Sequence, residues 1–123
     1  NYKASWVGGE NWPEPVWPGA WHYGESWDRK KLEEHYAQWA ALKDRGVGVH
    51  CGEVGAFKFT PHNVVLAWMK DLLEILSERD IGFALWNFKG PFGILDSERE
   101  DVEYEDWQGH KLDKKMLSLL QAY

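Results

Sequence analysis

Residues 47–55 read Val-Gly-Val-His-Cys-Gly-Glu-Val-Gly, a short apolar run that carries one carboxylate, Glu53, between glycines near its C-terminal end. An apolar run that follows a helix and leads into a glycine-containing loop indicates a buried parallel strand. In parallel sheets, catalytic groups are placed at the C-terminal ends of the strands. Glu53 is therefore a candidate nucleophile or acid/base. The alternative is a loop carboxylate that pairs with a nearby lysine such as Lys58.

The composition bounds the class of protein. The chain has 123 residues and a formal net charge of -6, which is enough chain for one small domain and argues against nucleic acid or a membrane as a partner. The count of nine tryptophans is unusually high for a chain of this length. Indole rings offer flat apolar platforms that suit sugar rings or protein interfaces. The single cysteine, Cys51, excludes an internal disulfide.

No cofactor or metal is predicted, because the five histidines have none of the spacings typical of metal sites. His62 and His110, each near a predicted helix start, are expected to face solvent. The acidic residues between 96 and 106 are expected to form a solvated loop. No signal peptide or membrane-length apolar run is visible. The chain begins with Asn1 rather than Met, so the localisation, secreted or cytoplasmic, stays open.

Strands and helices alternate along the chain. Helical spacing of apolar residues, a capping Asp28 and a terminating Gly46 predict one helix, and Thr60-Pro61 predicts the start of another. The order is that of an α/β fold with parallel strands. The predicted elements are strand 2–6, a tryptophan-rich loop 7–27, helix 29–45, strand 47–52, helix 61–79, strand 81–88, an irregular charged loop 89–109 and helix 112–122.

Three parallel strands make a poor free-standing domain. The two outer strands would present unpaired backbone edges, and their apolar character requires cover on both faces of the sheet. We therefore expect the chain to be a piece of a larger fold or to assemble with another chain.

Two segments resemble a known family. Gly52-Glu53-Val54-Gly55 is similar to the Gly-Glu-Phe-Gly segment on the seventh strand of family 5 glycoside hydrolases, the cellulase-type retaining (β/α)8, or TIM, barrels. Residues 83–96, which read Phe-Ala-Leu-Trp-Asn-Phe-Lys-Gly-Pro-Phe-Gly-Ile-Leu-Asp, resemble the eighth strand and the loop after it. Tyr2 resembles the Tyr of the family's His-x-Tyr motif on the sixth strand. The resemblance implies a partial barrel made of about the last three β/α units, strands six to eight.

The resemblance also implies roles for individual residues. Glu53 matches the catalytic nucleophile, Tyr2 matches the residue that hydrogen-bonds that carboxylate, and Trp86 matches the floor under the sugar that is cleaved. The further candidate substrate-binding residues are Trp6, Asn87 and Lys89; for Trp6, packing of the long loop on itself is an equal alternative.

The family's acid/base is absent from the sequence. It is the Glu of an Asn-Glu-Pro motif, and no such motif occurs here. Glu14-Pro15 follows Pro13 rather than Asn, so the role is not transferred to it. The isolated chain is therefore expected to be inactive.

The resulting hypothesis is part of an endoglucanase-like retaining β-glycoside hydrolase. Its expected partners are a β-linked glucan or related oligosaccharide and the remainder of the barrel, on the same or another chain. The alternatives are a non-catalytic carbohydrate-binding module, which the tryptophan content would also support, and a partial-barrel assembly fragment.

Overall fold

The computed structural model describes residues 14–20 and 25–123. The predicted strand 2–6, with Tyr2 and Trp6, lies outside these residues, as does most of the predicted loop 7–27. The described part contains six strands and three α-helices. They are β1 (Gly19–Ala20), β2 (Ser26–Trp27), α1 (Arg29–Ala40), a 3-10 turn (Lys43–Arg45), β3 (His50–Val54), α2 (His62–Glu78), β4 (Gly82–Leu85), β5 (Glu105–Trp107), β6 (His110–Leu112) and α3 (Lys114–Leu120).

The centre of the fold is a parallel pair, β3 and β4, joined through α2. His50 pairs with Gly82 and Val54 pairs with Leu85, with an irregularity in register between Cys51 and Val54. Beyond the last pair, the N–H of Trp86 donates to the carbonyl of Val54 at 2.7 Å. This arrangement is a βαβ unit, so the described residues form a small α/β fold with a parallel sheet.

One face of this sheet packs on the core. Helix α2 repeats buried apolar residues at helical spacing, and Phe83 and Leu85 of β4 pack against the same cluster. The fully buried side chains of the helix are Val65, Met69, Leu73, Ile75 and Leu76. Helix α1 packs against α2 and is tied to it by ion pairs from Arg29 to Glu74 at 2.5 Å and to Glu78 at 3.3 Å.

In the part of the chain that the structure describes, the opposite face of the sheet is open. Side chains alternate along a strand, so Glu53, Ala84 and Trp86 point away from the core, and all three are exposed. The outer edges of β3 and β4 pair with no other strand in the described part of the chain. A complete parallel sheet needs cover on both faces, and the described residues cover only one face of this sheet.

Several element bounds differ from the sequence-based prediction. The predicted helix 29–45 ends at Ala40 and continues as a 3-10 turn that Gly46 terminates at φ +76°. Strand β3 starts three residues later and ends two residues later than predicted, which places Glu53 inside it. Strand β4 stops at Leu85 rather than at residue 88. Helix α3 starts at Lys114 because Leu112 belongs to β6 and Asp113 caps the helix by accepting the Met116 N–H at 3.0 Å.

The charged stretch after β4 is more ordered than predicted. The predicted irregular loop 89–109 contains β5 and leads into β6, with which it forms an antiparallel hairpin. Its turn places Gln108 at φ +54° and Gly109 at φ +82°, the backbone conformation that tight hairpin turns use. Six of the seven acidic residues between 96 and 106 are exposed, as expected of a solvated loop, but Ser97 and Arg99 in the same segment are only 0% and 3% exposed.

The expectation of a solvent-facing histidine is wrong for His62, whereas the side chain of His110 is 38% exposed. His62 is buried, and its Nε2 lies 2.7 Å from Oδ2 of the buried Asp113. Burial alone would raise the pKa of Asp113, but His62 and the N–H of Met116 hold that pKa below its usual value. His110 is partly buried and contacts Asp96 at 2.8 Å. Among the described helices none is long and apolar enough to cross a membrane.

Candidate active site at the ends of two parallel strands

Glu53 presents its carboxylate on the open face of the sheet. It is exposed, whereas the next residue, Val54, is only 2% exposed and anchors the strand in the core. Within the described part of the chain Glu53 makes no hydrogen bond or ion pair. Lys58, the partner considered from sequence, instead pairs with Glu98 at 2.9 Å. The carboxylate of Glu53 is thus not engaged by its own neighbours.

Trp86 lies beside Glu53 at the same edge of the sheet. It directly follows β4, its side chain is 51% exposed, and the Trp86–Asn87 peptide bond is cis. Glu53 precedes Val54 and Trp86 follows Leu85, so both residues flank the last paired position of the sheet. By alternation they share the face opposite the core. A carboxylate and an exposed indole therefore project from one end of the parallel pair.

Gly55 allows this edge to close tightly. A Cβ atom at Gly55 would lie 2.0 Å from the carbonyl oxygen of Trp86 and 3.5 Å from Cβ of Phe92. No side chain can be accommodated at the first distance without a backbone shift. The loop that follows Glu53 and the turn that follows Trp86 are therefore in direct backbone contact.

Asn87 and Lys89 are both placed next to this edge, but neither is a free group on the open face. The Oδ1 atom of Asn87 is buried and has no hydrogen-bond partner among the described residues. The side-chain amide of Asn87 packs beside Gly90, where a Cβ atom would lie 3.1 Å from Nδ2. Lys89 is exposed, with its Nζ 3.2 Å from Oδ2 of Asp96.

Asp96 organises the segment behind the site. It accepts the backbone N–H of Lys111 at 2.9 Å, and its other oxygen lies 2.8 Å from Nδ1 of His110. The N–H of Lys111, followed by His110 and Lys89, lowers the pKa of Asp96 to about 2. Asp96 therefore stays ionised and links Lys89, next to the site, to the hairpin formed by β5 and β6.

Phenylalanines border the site, and the sequence analysis did not single them out. The rings of Phe57 and Phe59 meet edge to face at 5.2 Å, and Phe57 also contacts Phe92 at 5.2 Å. Phe59 and Phe88 are among the most exposed large apolar side chains, at 62% and 60%. The Phe-Lys-Phe pattern of residues 57–59, in the loop after the predicted strand, was the available signal.

The comparisons with known proteins agree on one class. A solved structure described as a glycoside hydrolase is 42% identical to this chain with a TM-score of 0.84, and the match covers 97% of this chain and 36% of that one. Endoglucanase C of Acetivibrio thermocellus is 34% identical over 58 residues, which are 46% of this chain and 17% of that protein. The chain resembles the cellulase-type glycoside hydrolases of family 5.

More distant glycoside hydrolases share the fold. Thermotoga maritima Cel5A, solved in complex with cellobiose, matches 95% of this chain with a TM-score of 0.69 at 24% identity. These neighbours are TIM-barrel enzymes. No protein-family model matches the chain.

The chain spans about a third of the length of the glycoside hydrolase structures that it matches. The resemblance to family 5 therefore concerns one part of such an enzyme. Of the residues with a predicted role, Glu53, Trp86, Asn87 and Lys89 lie at one edge of the described sheet, whereas Tyr2 and Trp6 lie outside the described residues. Among the described residues no group of three or more His, Cys, Asp or Glu side chains could hold a metal ion.

Proposed function

We propose that the chain is part of a retaining β-glycoside hydrolase of the endoglucanase type, which cleaves a β-linked glucan or a related oligosaccharide. One observation carries the proposal: Glu53, a carboxylate without a partner among the described residues, shares a strand-end edge and a sheet face with the exposed indole of Trp86. The 42% identity to a glycoside hydrolase over nearly the whole chain supports it.

The proposed chemistry needs two carboxyl groups about 5 Å apart, one as nucleophile and one as acid and then base. Glu53 is the proposed nucleophile. Its carboxylate oxygen forms a bond to the anomeric carbon while the glycosidic C–O bond breaks, and the acid protonates the leaving oxygen. Water then displaces Glu53, with the second group acting as base. In the proposal, the remainder of the barrel supplies that second group.

The remaining predicted site residues take supporting roles in the proposal. The hydroxyl of Tyr2 donates to the Glu53 carboxylate, which favours its ionised form. The indole face of Trp86 supports the sugar ring by apolar contact. Trp6, Asn87 and Lys89 bind other parts of the substrate, and Lys89 reaches it while anchored by Asp96.

The open sheet face suggests how the chain fits into an enzyme. We assign β3 and β4 to strands seven and eight of a TIM barrel, with residues 2–6 as strand six. In that arrangement the face that carries Glu53, Ala84 and Trp86 turns toward the barrel interior. The remainder of the barrel, on the same or another chain, is then the partner that covers it.

The nucleophile assignment is tested in the complete barrel with an aryl β-cellobioside as substrate. Replacing Glu53 by Ala is expected to lower kcat by more than about a thousandfold, because the covalent step loses its nucleophile. Added azide should restore turnover and yield an α-glycosyl azide, because the small anion attacks the anomeric carbon from the vacated side. Glu100→Ala is the matched control, since Glu100 is an exposed carboxylate on the loop after β4.

Two results would contradict the proposal. Unchanged activity of Glu53→Ala would remove Glu53 from the reaction. Tight binding of cello-oligosaccharides by the complete, wild-type barrel without any hydrolysis would favour the carbohydrate-binding alternative.

A further inference from the structure

A buried arginine reaches from the segment after β4 to the loop after β3. Arg99 is 3% exposed. Its Nη1 donates to the carbonyl of Thr60 at 2.7 Å, and its Nη2 donates to the carbonyl of Ala56 at 2.5 Å. These two carbonyls lie near the two ends of the loop 55–61, which connects the strand of Glu53 to helix α2. A single guanidinium therefore spans this loop.

The segment that carries Arg99 is itself fixed. The backbone N–H of Arg99 donates to the hydroxyl oxygen of Tyr104 at 2.7 Å, and that hydroxyl lies 2.9 Å from Oγ of Ser97. A second tether runs from the same segment, where the carboxylate of Asp101 accepts the backbone N–H of His62 at 2.6 Å. Residues 97–104 thus hold both the loop 55–61 and the first residue of α2.

The shape of the guanidinium suits this arrangement. Two separate nitrogens of the rigid planar fork each reach one carbonyl, whereas a lysine would have to reach both carbonyls from a single nitrogen. The Nε atom of Arg99 is buried without a hydrogen-bond partner among the described residues, so in this part of the chain the two terminal nitrogens make the hydrogen bonds of the side chain. A buried charge is costly unless it is hydrogen-bonded, so the two carbonyls of the loop stabilise the guanidinium in this place.

The loop transmits this constraint to the site. It begins at Gly55, two residues after Glu53, where its backbone packs against the carbonyl of Trp86. Inside the loop, one short turn is closed by the Thr60 N–H, which donates to the carbonyl of Phe57 at 2.8 Å. A shift of the loop at Ala56 would therefore move the Gly55 contact and the end of β3 together.

We propose that Arg99 is a positioning residue that sets the orientation of Glu53 relative to Trp86 by bracing the loop 55–61. The inference rests on the proposed function, in which Glu53 is the nucleophile. Arg99 touches neither Glu53 nor Trp86, so its effect is on geometry and not on the chemical step itself.

The test measures the nucleophile directly. The complete barrel is treated with 2,4-dinitrophenyl 2-deoxy-2-fluoro-β-cellobioside. A Glu53 oxygen bonds to the anomeric carbon, the bond to the aryl oxygen breaks, and dinitrophenolate leaves with the electron pair. Peptide mass spectrometry locates the label. Arg99→Lys should lower the labelling rate constant at saturating reagent about ten- to a hundredfold, with cellobiose binding changed less than about threefold.

Two controls separate positioning from general destabilisation. Arg45→Lys, at an exposed arginine on the 3-10 turn, should label at the wild-type rate. Hydrogen exchange of the amides of residues 57–60 should accelerate in Arg99→Lys while that of buried α2 residues does not. Asp101→Ala, at an exposed side chain, removes the second tether and should slow labelling in the same direction even if Arg99→Lys does not fold.

The failure of each proposal has its own signature. A wild-type barrel that is never labelled on Glu53 would overturn the proposed function. Normal labelling of the wild type, together with wild-type labelling rates in folded Arg99→Lys or in Asp101→Ala, would overturn the positioning role alone.

Discussion

At the scale of single residues, Gly55 joins the two halves of the candidate site. Its backbone lies where any Cβ would meet the carbonyl oxygen of Trp86 at 2.0 Å, and that oxygen belongs to the main chain. A flexible side chain could move aside at such a distance, but a backbone carbonyl at a strand end cannot do so cheaply. The close approach keeps the loop after Glu53 against the turn after Trp86.

We therefore expect Gly55→Ala to lower the free energy of unfolding of the chain by about 1–3 kcal/mol, the usual range for overpacking. Urea unfolding followed by circular dichroism measures it. The matched control is Gly48→Ala, because a Cβ at Gly48 meets nothing within 4 Å and should change stability by less than about 1 kcal/mol. Equal effects of the two substitutions would mean that the Gly55 approach does not matter.

Residues differ in how far the sequence alone could predict their place. Glu53 was identified because a strand end, its flanking glycines and a family resemblance are all local features. Arg99 was missed, since its partners at Ala56 and Thr60 are about forty positions away and no local pattern encodes that contact. The same holds for His62, which looked solvent-facing in its helix turn but lies beside Asp113 in the fold.

At the scale of elements, the carboxylate of Asp96 links the hairpin of β5 and β6 to the segment beside the site. Asp96 accepts the N–H of Lys111 and contacts His110, both in β6, and it also pairs with Lys89. The sequence predicted an irregular loop here because three-residue strands are too short for a period-two pattern to be recognised. The longer units β3, α2 and β4 were placed within a few residues, since each carries its own apolar periodicity.

The Asp96 contacts predict a pH dependence of stability. The pKa of Asp96 is lowered from 3.8 to about 2 in the folded chain, first by the Lys111 N–H and then by His110. Because the pKa of Asp96 is lower in the folded chain than in the unfolded chain, the ionised carboxylate stabilises the fold. This stabilisation is complete above the unfolded pKa and is lost as the pH falls from about 4 to about 2. Asp96→Asn should therefore be less stable than wild type at pH 5, with a difference that shrinks toward pH 2.

Urea unfolding across that pH range measures the difference. Asp44→Asn serves as the control, because Asp44 is an exposed carboxylate on the 3-10 turn. A constant gap between wild type and Asp96→Asn at all pH values would contradict the link between these contacts and folding.

At the scale of the whole molecule, the described sheet is unfinished. Its core face is filled by α2, while the opposite face exposes Glu53, Ala84 and Trp86, and its outer edges pair with no described strand. Sequence reasoning reached the same expectation from the apolar strands, because parallel sheets require cover on both faces. It could not define which residues form the open face until the register between Val54 and Leu85 was known.

This open face predicts that a charge placed on it will block assembly and leave the chain itself folded. Ala84→Asp puts a carboxylate on the exposed side of β4, where the chain alone leaves it in water. In a closed barrel the same group would be buried without a partner. We expect the variant to keep the wild-type unfolding midpoint in isolation but to bind the rest of the barrel, made as a separate chain, at least about tenfold more weakly.

Sedimentation velocity of the mixture measures the binding. Ala67→Asp, on the exposed side of α2, should assemble like the wild type, and equal assembly of both variants would show that this face is not the barrel interior.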